Sequence, residues 1–387
     1  MKALLATRVF DGGGFIGPSA VLFEHGRVID LTGAADVPEG VAVELLPDDA
    51  ILAPGFVDLQ VNGGGGVMFN AAPTPATLAD IAEAHARLGT TAVMPTLISS
   101  DRATRRAAIA AARAAWAEKI PGVVGLHLEG PFLAPTRRGI HPAEAITTPD
   151  AEDLAELTAA FAAPVMITLA PEIVAPADIA ALAAAGRLVF AGHTDASFEQ
   201  AMAGFEVGII GSTHLFNAMS QLTGRAPGLV GAALSRGVAG IIVDLLHVHP
   251  ASVALAFARM GAERLFLVSD AMATAGSDMT SFDLAGRTIR LVDGKLTGAD
   301  GTLAGAHLCM AEAVRRAVQD VGIPLAAALR MATQTPADAV GLAEHGRIAS
   351  GSRADFVVLD SALTVRAVWR DGEKLAGIRS TVSPAWC

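Results

Sequence analysis

The sequence is poor in cysteine and in long apolar runs, and each shortage excludes a class of protein. Its 387 residues include only Cys309 and Cys387, too few for a disulfide framework or a cysteine-based metal site. No uninterrupted apolar run approaches the roughly 20 residues that span a bilayer. The start, MKALLATRVFDGGG, matches a signal peptide poorly because Thr7, Arg8 and Asp11 interrupt its apolar run. We therefore expect a soluble protein of the cytoplasm.

The charge balance excludes further partners. The chain carries 39 acidic and 28 basic residues, a formal net charge of −11. A protein that binds nucleic acid needs a basic face for the phosphates, and this balance argues against one. We expect no nucleic-acid partner and, given the short apolar runs, no membrane partner. A small anionic substrate is compatible with the charge, because a few local arginine and histidine side chains can outweigh the mean field.

The pattern of apolar runs predicts the fold class. Both ends of the chain read as short strands and turns, whereas the middle alternates apolar runs with helical stretches such as 77–88, 102–118 and 177–185. The eight runs are GFVDLQ, TAVMPT, VVGLHLE, VMITLA, LVFAGH, GIIGSTH, GIIVDLL and LFLVSD. Apolar strands that alternate with helices indicate a parallel sheet buried on both faces.

Eight strand–helix units in about 250 residues are typical of a (β/α)8 barrel, the TIM-like architecture. The whole chain is too long for one small core and suits such a barrel plus a smaller domain. We expect an α/β protein whose barrel is flanked by a small β-sandwich domain built from both termini. The predicted limits are residues 1–53 and 346–387 for the two parts of the β domain and 54–345 for the barrel.

Polar side chains collect where these strands end. They are Asp58, Gln60, Asn62, His127, Glu129, His193, His214, His247 and Asp270. In a barrel the carboxyl ends of all strands ring one mouth, where the active site of this fold lies. A single histidine there is more often structural, and an aspartate such as Asp270 is often a helix N-cap. A joint set from several strands is more typical of a catalytic metal site.

Glu129, His193 and His214 would supply one carboxylate and two imidazoles. Three protein ligands with an open fourth position are the arrangement of a catalytic zinc site. Asp270 is then the expected general base for water and can return the proton to the leaving group. Zinc is the first expectation, and the same donors suit iron, cobalt or manganese. His127, two residues before Glu129, is expected to pack or hydrogen-bond behind the ligands.

Six segments of the chain together resemble a known family. They are PGFVDLQVNGGGG, GLHLEGPFL followed by RRGIHP, LAPE, AGHTDA, THLFNAM followed by GRAPG, and LVSDAM. Over nearly its whole length the chain is similar to the N-acetylglucosamine-6-phosphate deacetylases of the amidohydrolase superfamily. The resemblance implies a homodimer that hydrolyses the acetamide of N-acetylglucosamine 6-phosphate to glucosamine 6-phosphate and acetate. It also implies a divalent metal ion held by Glu129, His193 and His214, with Asp270 as acid and base.

The resemblance implies substrate contacts as well. In RRGIHP, Ile140 and His141 match the family's substrate segment, with His141 near the acetamide. The positions that match the family's contacts with the sugar phosphate are Asn217, Ala218, Arg225 and His247. The resemblance also implies that this arginine serves the phosphate of the neighbouring subunit. The loop that lines the acetyl pocket matches Leu303, Ala304 and Gly305 in GTLAGAH.

Two positions depart from the family pattern. Leu245, in VDLLHV, stands where the family usually has glycine, a residue that allows the backbone to approach closely beside His247. Ala304 replaces a residue that is often serine. Neither departure touches the expected metal ligands.

Two alternative functions compete with this one. Binuclear members of the superfamily, such as hydantoinases and dihydroorotases, generally need a His-x-His pair on the first strand and a carboxylated lysine between the metals. Here Gln60 and Asn62 occupy the paired positions, and no lysine lies at the carboxyl end of a predicted barrel strand. The four lysines are Lys2, Lys119, Lys295 and Lys374. We therefore expect one metal ion per chain. The second alternative, a barrel kept as a scaffold, would be indicated by loss of a ligand or of the base, and all four residues are present.

Overall fold

The structure is a computed structural model and describes residues 1–378. Residues 379–387, which include Cys387 and the end of the predicted C-terminal segment, lie outside the described residues. The described chain forms a parallel sheet in its middle and mostly antiparallel sheets from its two ends.

The N-terminal segment consists of short strands. They are β1 (Lys2–Ala6), β2 (Arg8–Phe10), β3 (Phe15–Ile16), β4 (Ser19–Glu24), β5 (Arg27–Gly33), β6 (Ala42–Leu45) and β7 (Ile51–Pro54). Four of them form a sheet in the order β5-β4-β1-β6. A single 3-10 turn, Ala34–Asp36, connects β5 to β6.

The middle of the chain alternates strands with helices. Its elements up to the last barrel strand are β8 (Phe56–Val61), β9 (Gly63–Gly64), β10 (Val67–Met68), α1 (Pro75–Ala86), β11 (Thr90–Ile98), α2 (Arg102–Ala117), β12 (Leu126–Glu129), α3 (Ala151–Thr158), β13 (Val165–Leu169), α4 (Pro176–Ala184), β14 (Leu188–Ala191), α5 (Phe198–Val207), β15 (Ile209–Ser212), α6 (Gly228–Ser235), β16 (Val238–Ile241), α7 (Pro250–Met260) and β17 (Leu265–Leu267). The predicted helices at 77–88, 102–118 and 177–185 correspond to α1, α2 and α4 and are confirmed.

Eight of these strands form one parallel sheet in chain order, β8 and then β11 through β17. Every residue of β8 and β11 is buried, as expected for strands covered on both faces. The two ends of the sheet meet where Val61 bridges Ala271 and where the N–H of Asp270 donates to the carbonyl of Gln60 at 3.0 Å. The predicted (β/α)8 barrel and its eight strands are confirmed.

Helix α2 shows why the alanine-rich segments fold as ordinary barrel helices. Its buried face includes Ala108, Ala111, Ala112 and Ala115, a spacing of three and four residues that gives one apolar stripe. Asp101 caps the helix by accepting the N–H of Thr104 at 2.7 Å, which satisfies a donor that the first turn leaves free.

The remaining elements complete the molecule. They are β18 (Ser281–Leu284), β19 (Arg287–Val292), β20 (Lys295–Thr297), α8 (Met310–Gln319), α9 (Leu325–Ala332), α10 (Gln334–Ala339), β21 (Phe356–Leu359), β22 (Val365–Arg370) and β23 (Glu373–Lys374). None of the helices within residues 1–378 has both the length and the apolar character needed to cross a bilayer.

Strands from the two termini share one sheet, in the order β23-β22-β21-β7-β2-β3. This sheet packs on the N-terminal sheet β5-β4-β1-β6 through a common apolar core. At its centre Phe23 of β4 meets Phe356 of β21 edge to face, with ring centroids 5.4 Å apart. The predicted small β sandwich from both termini is therefore confirmed.

The sequence did not lead us to expect the three-stranded sheet β18-β19-β20, which is inserted between β17 and α8. Its inner residues Phe282, Leu284, Ile289 and Leu296 form an apolar cluster with Ile140 from the loop after β12. The insertion thus covers one side of the barrel mouth.

Candidate active site

Four predicted residues meet at the carboxyl ends of four different barrel strands. Glu129 is the last residue of β12, and His193 and His214 each follow their strands, β14 and β15, by two residues. Asp270 lies three residues after β17. Because the strands are parallel and closed into a barrel, these ends face one mouth, and all four side chains are buried there.

The three proposed ligand atoms form a compact group. Oε1 of Glu129 lies 2.9 Å from Nε2 of His214 and 3.1 Å from Nε2 of His193. The two imidazole nitrogens are 3.0 Å apart. Burial raises the pKa of Glu129, but hydrogen bonds and positive charge from the two imidazoles in their protonated form outweigh it, so the pKa of Glu129 lies well below its usual value. An ionised carboxylate and two imidazoles that converge in this way fit a divalent cation.

The tautomer of His193 also fits a metal ligand. Its Nδ1 lies 2.9 Å from the carbonyl oxygen of Arg137. A carbonyl can only accept, so Nδ1 carries the hydrogen and donates it. In the neutral ring Nε2 then presents a lone pair toward Glu129 and His214. Histidines that bind metals commonly donate their other ring N–H to a carbonyl in this manner.

Asp270 is held by two amides from the first barrel strand and its extension. Its Oδ1 accepts Nδ2 of Asn62 at 2.7 Å and Nε2 of Gln60 at 3.2 Å. The same Gln60 nitrogen lies 3.2 Å from Oε1 of Glu129, so it bridges the two carboxylates. Burial, with the nearby negative charge of Glu129, raises the pKa of Asp270 to about 6. Oδ1 is therefore occupied, and Oδ2 is the oxygen available to exchange a proton.

Three of these four residues have a backbone conformation that side chains normally avoid. The φ angles are 48° at His193, 29° at His214 and 51° at Asp270. A non-glycine residue in this left-handed region costs about 1–3 kcal/mol and persists only where its surroundings hold it. Such strain clusters at functional sites, where it aims side chains into the mouth.

His141, which the resemblance places near the acetamide, lies beside the ligand group. Its ring centroid is 4.3 Å from that of His193. The backbone N–H of Ser99, at the end of β11, donates to Nδ1 of His141 at 3.2 Å, and the Ser99 hydroxyl lies 2.8 Å from the same atom. Nδ1 is thus an acceptor, and in the neutral ring the hydrogen sits on Nε2. Burial, aided by His193, holds the pKa of His141 well below its usual value, which favours this neutral form.

The predicted acetyl-pocket loop, Leu303 to Gly305, leads directly into a residue that is bonded to Asp270. The N–H of Ala306 donates to the carbonyl of Asp270 at 2.9 Å. Gly305 has a φ of +58°, and a Cβ there would lie 2.8 Å from the same carbonyl oxygen, so only glycine fits. Ala304 is fully buried in the apolar cluster that contains Ile140, whereas Leu303 is half-buried.

Asn217 and Ala218 form a turn directly after His214. The amide of Asn217 donates to the carbonyl of His214 at 3.2 Å. Ala218 has a φ of 46°, and its carbonyl accepts the N–H of Thr194 at 3.1 Å. The turn is therefore joined to the loop that follows His193, so these two predicted residues lie beside the ligand group.

His247 is fixed by a residue that the sequence analysis did not single out. Nδ1 of His247 lies 2.6 Å from Oδ2 of Asp244, whose other oxygen accepts the N–H groups of Leu246 and His247 at 2.9 and 2.8 Å. Leu245, inside this turn, has a φ of 63°. A glycine would adopt that conformation without strain, which explains physically why the related family usually has glycine at this position.

Arg225 is the predicted site residue that the structure leaves apart. It lies in the exposed loop between β15 and α6, and none of its contacts within residues 1–378 joins it to the ligand group.

His127, by contrast, is fully buried and bonded through its two ring nitrogens to the hydroxyls of Thr96 and Thr168, at 3.1 and 2.8 Å. The expectation that His127 hydrogen-bonds behind the ligands is confirmed.

Several other residues that support the site were missed. They are Ser99, Arg137, Glu172 and Asp244. Ser99, Glu172 and Asp244 follow a barrel strand within a few residues, which is a usable signal. Arg137 acts through its backbone carbonyl, a contact that residue type does not reveal.

Comparison with known proteins places this site in a family. A family model described as the amidohydrolase family matches residues 51–379. An N-acetylgalactosamine-6-phosphate deacetylase of Shewanella sp. (strain ANA-3) is 43% identical over 84% of this chain and 83% of its own length. An N-acetylglucosamine-6-phosphate deacetylase of Haemophilus influenzae is 35% identical over 79% of this chain and 82% of its own.

A solved structure extends the likeness to three dimensions. The N-acetylglucosamine-6-phosphate deacetylase of Pasteurella multocida superimposes with a TM-score of 0.94 at 34% identity, covering 97% of this chain and 100% of that one. Fold and sequence thus agree over nearly the whole length of the chain. The chain belongs to the amidohydrolase family and, within it, to the deacetylases of N-acetylated amino-sugar 6-phosphates.

Proposed function

We propose that this chain hydrolyses the acetamide of N-acetylglucosamine 6-phosphate to glucosamine 6-phosphate and acetate, in amino-sugar catabolism and recycling. The observation that carries the proposal is the convergence of Glu129, His193 and His214 within bonding distance of each other, beside Asp270. The relatives that share the fold bear the name of this activity or of its galactosamine counterpart. The family is metal-dependent, in agreement with this group of donors.

One divalent ion per chain, zinc in the first place, would be held by Glu129, His193 and His214. It would supply a Lewis acid that polarises a carbonyl and lowers the pKa of water toward about 7. Gln60 and Asn62 are not needed as ligands, because their amides already donate to the carboxylates of Glu129 and Asp270. This arrangement supports a single ion.

The chain's own residues divide the remaining work. Oδ2 of Asp270 takes the proton of the attacking water and delivers it to the amine as the C–N bond breaks. Nε2–H of His141 would act as a neutral donor that stabilises the negative charge developing on the acetyl oxygen. Ile140, Ala304 and Gly305 would surround the methyl group of the acetyl, since all three lie in or beside one apolar cluster.

The sugar phosphate would be bound by the residues at the outer side of the mouth. Asn217, Ala218 and His247 belong to the same chain, whereas Arg225 is exposed and would reach the phosphate of a second subunit. The proposed homodimer is supported by the family resemblance and by the exposed position of Arg225, outside the ligand group of its own chain. Sedimentation analysis should show twice the monomer mass, and a strict monomer would contradict the proposed dimer. The cytoplasmic location and the limits of the domains also stay predictions.

A second candidate substrate follows from the comparisons. The relative with 43% identity acts, by its name, on N-acetylgalactosamine 6-phosphate, the epimer at one sugar hydroxyl. The proposed chemistry is identical, because the acetamide and the phosphate are common to both sugars.

Kinetics with zinc-reconstituted protein test the proposal. Both N-acetylhexosamine 6-phosphates and their unphosphorylated forms would be assayed for acetate release. We expect turnover of the phosphorylated sugars, with kcat/KM deciding between the epimers. Absence of acetate release from every one of them, in protein that holds zinc, would refute the deacetylase function.

A further inference from the structure

Glu172 bridges two groups of the loop that carries a proposed metal ligand. It lies three residues after β13, in the segment LAPE. Its Oε1 accepts the backbone N–H of Asp195 at 2.6 Å, and its Oε2 accepts the hydroxyl of Thr194. These two residues directly follow His193.

The same loop is bound from its other side by Arg137. The guanidinium of Arg137 pairs with Asp195 through two nitrogens, at 2.9 and 2.8 Å from Oδ1. The backbone carbonyl of Arg137 accepts Nδ1–H of His193 at 2.9 Å. A circuit of bonds therefore runs from Glu172 through Asp195 and Arg137 to the ring of His193, and it fixes which nitrogen of that ring faces Glu129.

Thr194 extends the connection to the second histidine. Its N–H donates to the carbonyl of Ala218 at 3.1 Å, and its carbonyl accepts the N–H of Ser220 at 3.0 Å. Ala218 lies four residues after His214. The segment held by Glu172 is therefore paired with the turn that follows the other imidazole ligand.

The backbone of His193 requires such a clamp. Its φ of 48° is unfavourable for a histidine, by about 1–3 kcal/mol, and without external bonds the loop would relax toward ordinary angles. Relaxation would move Nε2 away from its position 3.1 Å from Glu129. The carboxylate of Glu172 supplies two bonds at the very next residues, and Thr194 is fully buried there.

We infer that Glu172 is a positioning residue for metal binding: it holds the 194–195 backbone so that His193 presents Nε2 to the ion. The inference rests on the proposed function, since it takes Glu129, His193 and His214 as the ligands. Glu172 itself is not among these donors and touches neither histidine ring.

The test measures zinc affinity of folded, metal-free protein by competition with a chelator, using Zn²⁺ alone as the probe. Glu172→Ala removes both acceptors and should weaken zinc binding about tenfold, the lower end of what outer partners of metal ligands contribute. Glu172→Gln keeps one carbonyl acceptor for Asp195 and an amide that can donate to the Thr194 hydroxyl, so it should recover most of the affinity. Glu199→Ala is the control, because that carboxylate bonds to the hydroxyl of Ser197 instead.

The measured zinc affinities decide whether Glu172 positions His193. A zinc affinity of Glu172→Ala within twofold of the wild type, or an equal loss in Glu199→Ala, would overturn the inference, as would a loss in Glu172→Gln as large as in Glu172→Ala. If Glu172→Ala does not fold, Thr194→Val keeps the side-chain shape and removes one of the two Glu172 bonds, together with the bond from the N–H of Ala196. It should weaken zinc binding too, and unchanged affinity there would overturn the inference. A wild-type protein that binds no zinc would instead contradict the proposed function itself.

Discussion

The amide nitrogen of Asn62 lies 2.7 Å from Oδ1 of Asp270. Asn62 follows β8 and Asp270 follows β17. These are the first and last strands of the barrel sheet, and they meet at this point. The amide can only donate, so it fixes one carboxylate oxygen and leaves the other free for proton transfer. The position of the proposed base therefore depends on closure of the barrel.

Asp270→Asn tests the proton transfer. The change keeps the side-chain shape but removes the basic oxygen, so kcat should fall by roughly 10²–10⁴. Bound zinc should stay near the wild-type amount, because Asp270 is proposed as a base and not as a ligand. Asp283→Asn, on the inserted sheet, is the matched control. Near-normal turnover in zinc-loaded Asp270→Asn would show that Asp270 is a structural residue and not the base.

Arg225→Ala tests phosphate recognition. Loss of a charge-assisted bond to an anion costs about 1.5–3 kcal/mol, so KM for the 6-phosphate should rise roughly 10-fold to 150-fold. KM for the unphosphorylated sugar should barely change. Arg236→Ala, another exposed arginine, serves as control because its partner is Glu206. Equal effects on both substrates would show that Arg225 has no part in phosphate binding.

Elemental analysis tests the number of metal ions. After gentle dialysis we expect close to one equivalent per chain, since the amides of Gln60 and Asn62 already donate to carboxylates. Glu129→Gln should lose most of the metal, because the charged ligand is removed from between two histidines. Two equivalents retained at full activity would refute a single-ion site.

Asp58→Asn tests a buried carboxylate beneath the site. Burial raises the pKa of Asp58 to about 7, although the N–H groups of Ser269 and Gln60 donate to it. A raised folded-state pKa means that its stabilising contribution is complete below about pH 4, near the unfolded-state value, and is lost as pH rises to 7. The free energy of unfolding of the wild type should fall relative to Asp58→Asn across that range. Parallel pH profiles of urea unfolding would contradict this assignment.

Leu245 tests the strain in the turn that carries His247. At a φ of 63°, in the left-handed region, an alanine is strained by about 1–2 kcal/mol because of its Cβ, whereas glycine is not. The greater freedom of glycine in the unfolded chain offsets part of this, by about 0.4–1 kcal/mol. Leu245→Gly should therefore unfold at higher urea concentration than Leu245→Ala, the reverse of the usual order. An alanine variant as stable as the glycine variant would show that the turn is unstrained.

Much of the fold could be predicted because its causes are local. Buried runs such as TAVMPT and GFVDLQ, separated by helices, permit few arrangements other than a parallel barrel. The inserted sheet at 281–297 was not predicted, although its strands carry usable signals. Polar and apolar residues alternate in SFDL, and the pair Asp293-Gly294 between β19 and β20 is typical of a hairpin turn. These signals do not give the place of the sheet, because its contacts with Ile140 and Ala304 arise only in the folded chain.

The active site, too, could be predicted only in part. Glu129, His193, His214 and Asp270 could be found because each ends a strand, and the topology of a barrel brings strand ends together. The contacts that hold them could not be found. The carbonyl of Arg137 and the N–H of Ser99 are backbone groups that every residue possesses, so only the folded geometry selects them.

The meeting of β8 and β17 makes the orientation of the proposed base conditional on a closed barrel. Asp270 obtains its partners Asn62 and Gln60 only when the first and last strands of the sheet join. A chain in which seven strands have formed but the ring is still open would hold Glu129, His193 and His214 yet have no oriented base. If the barrel opens at this seam, acetate release should therefore be lost before zinc binding is lost.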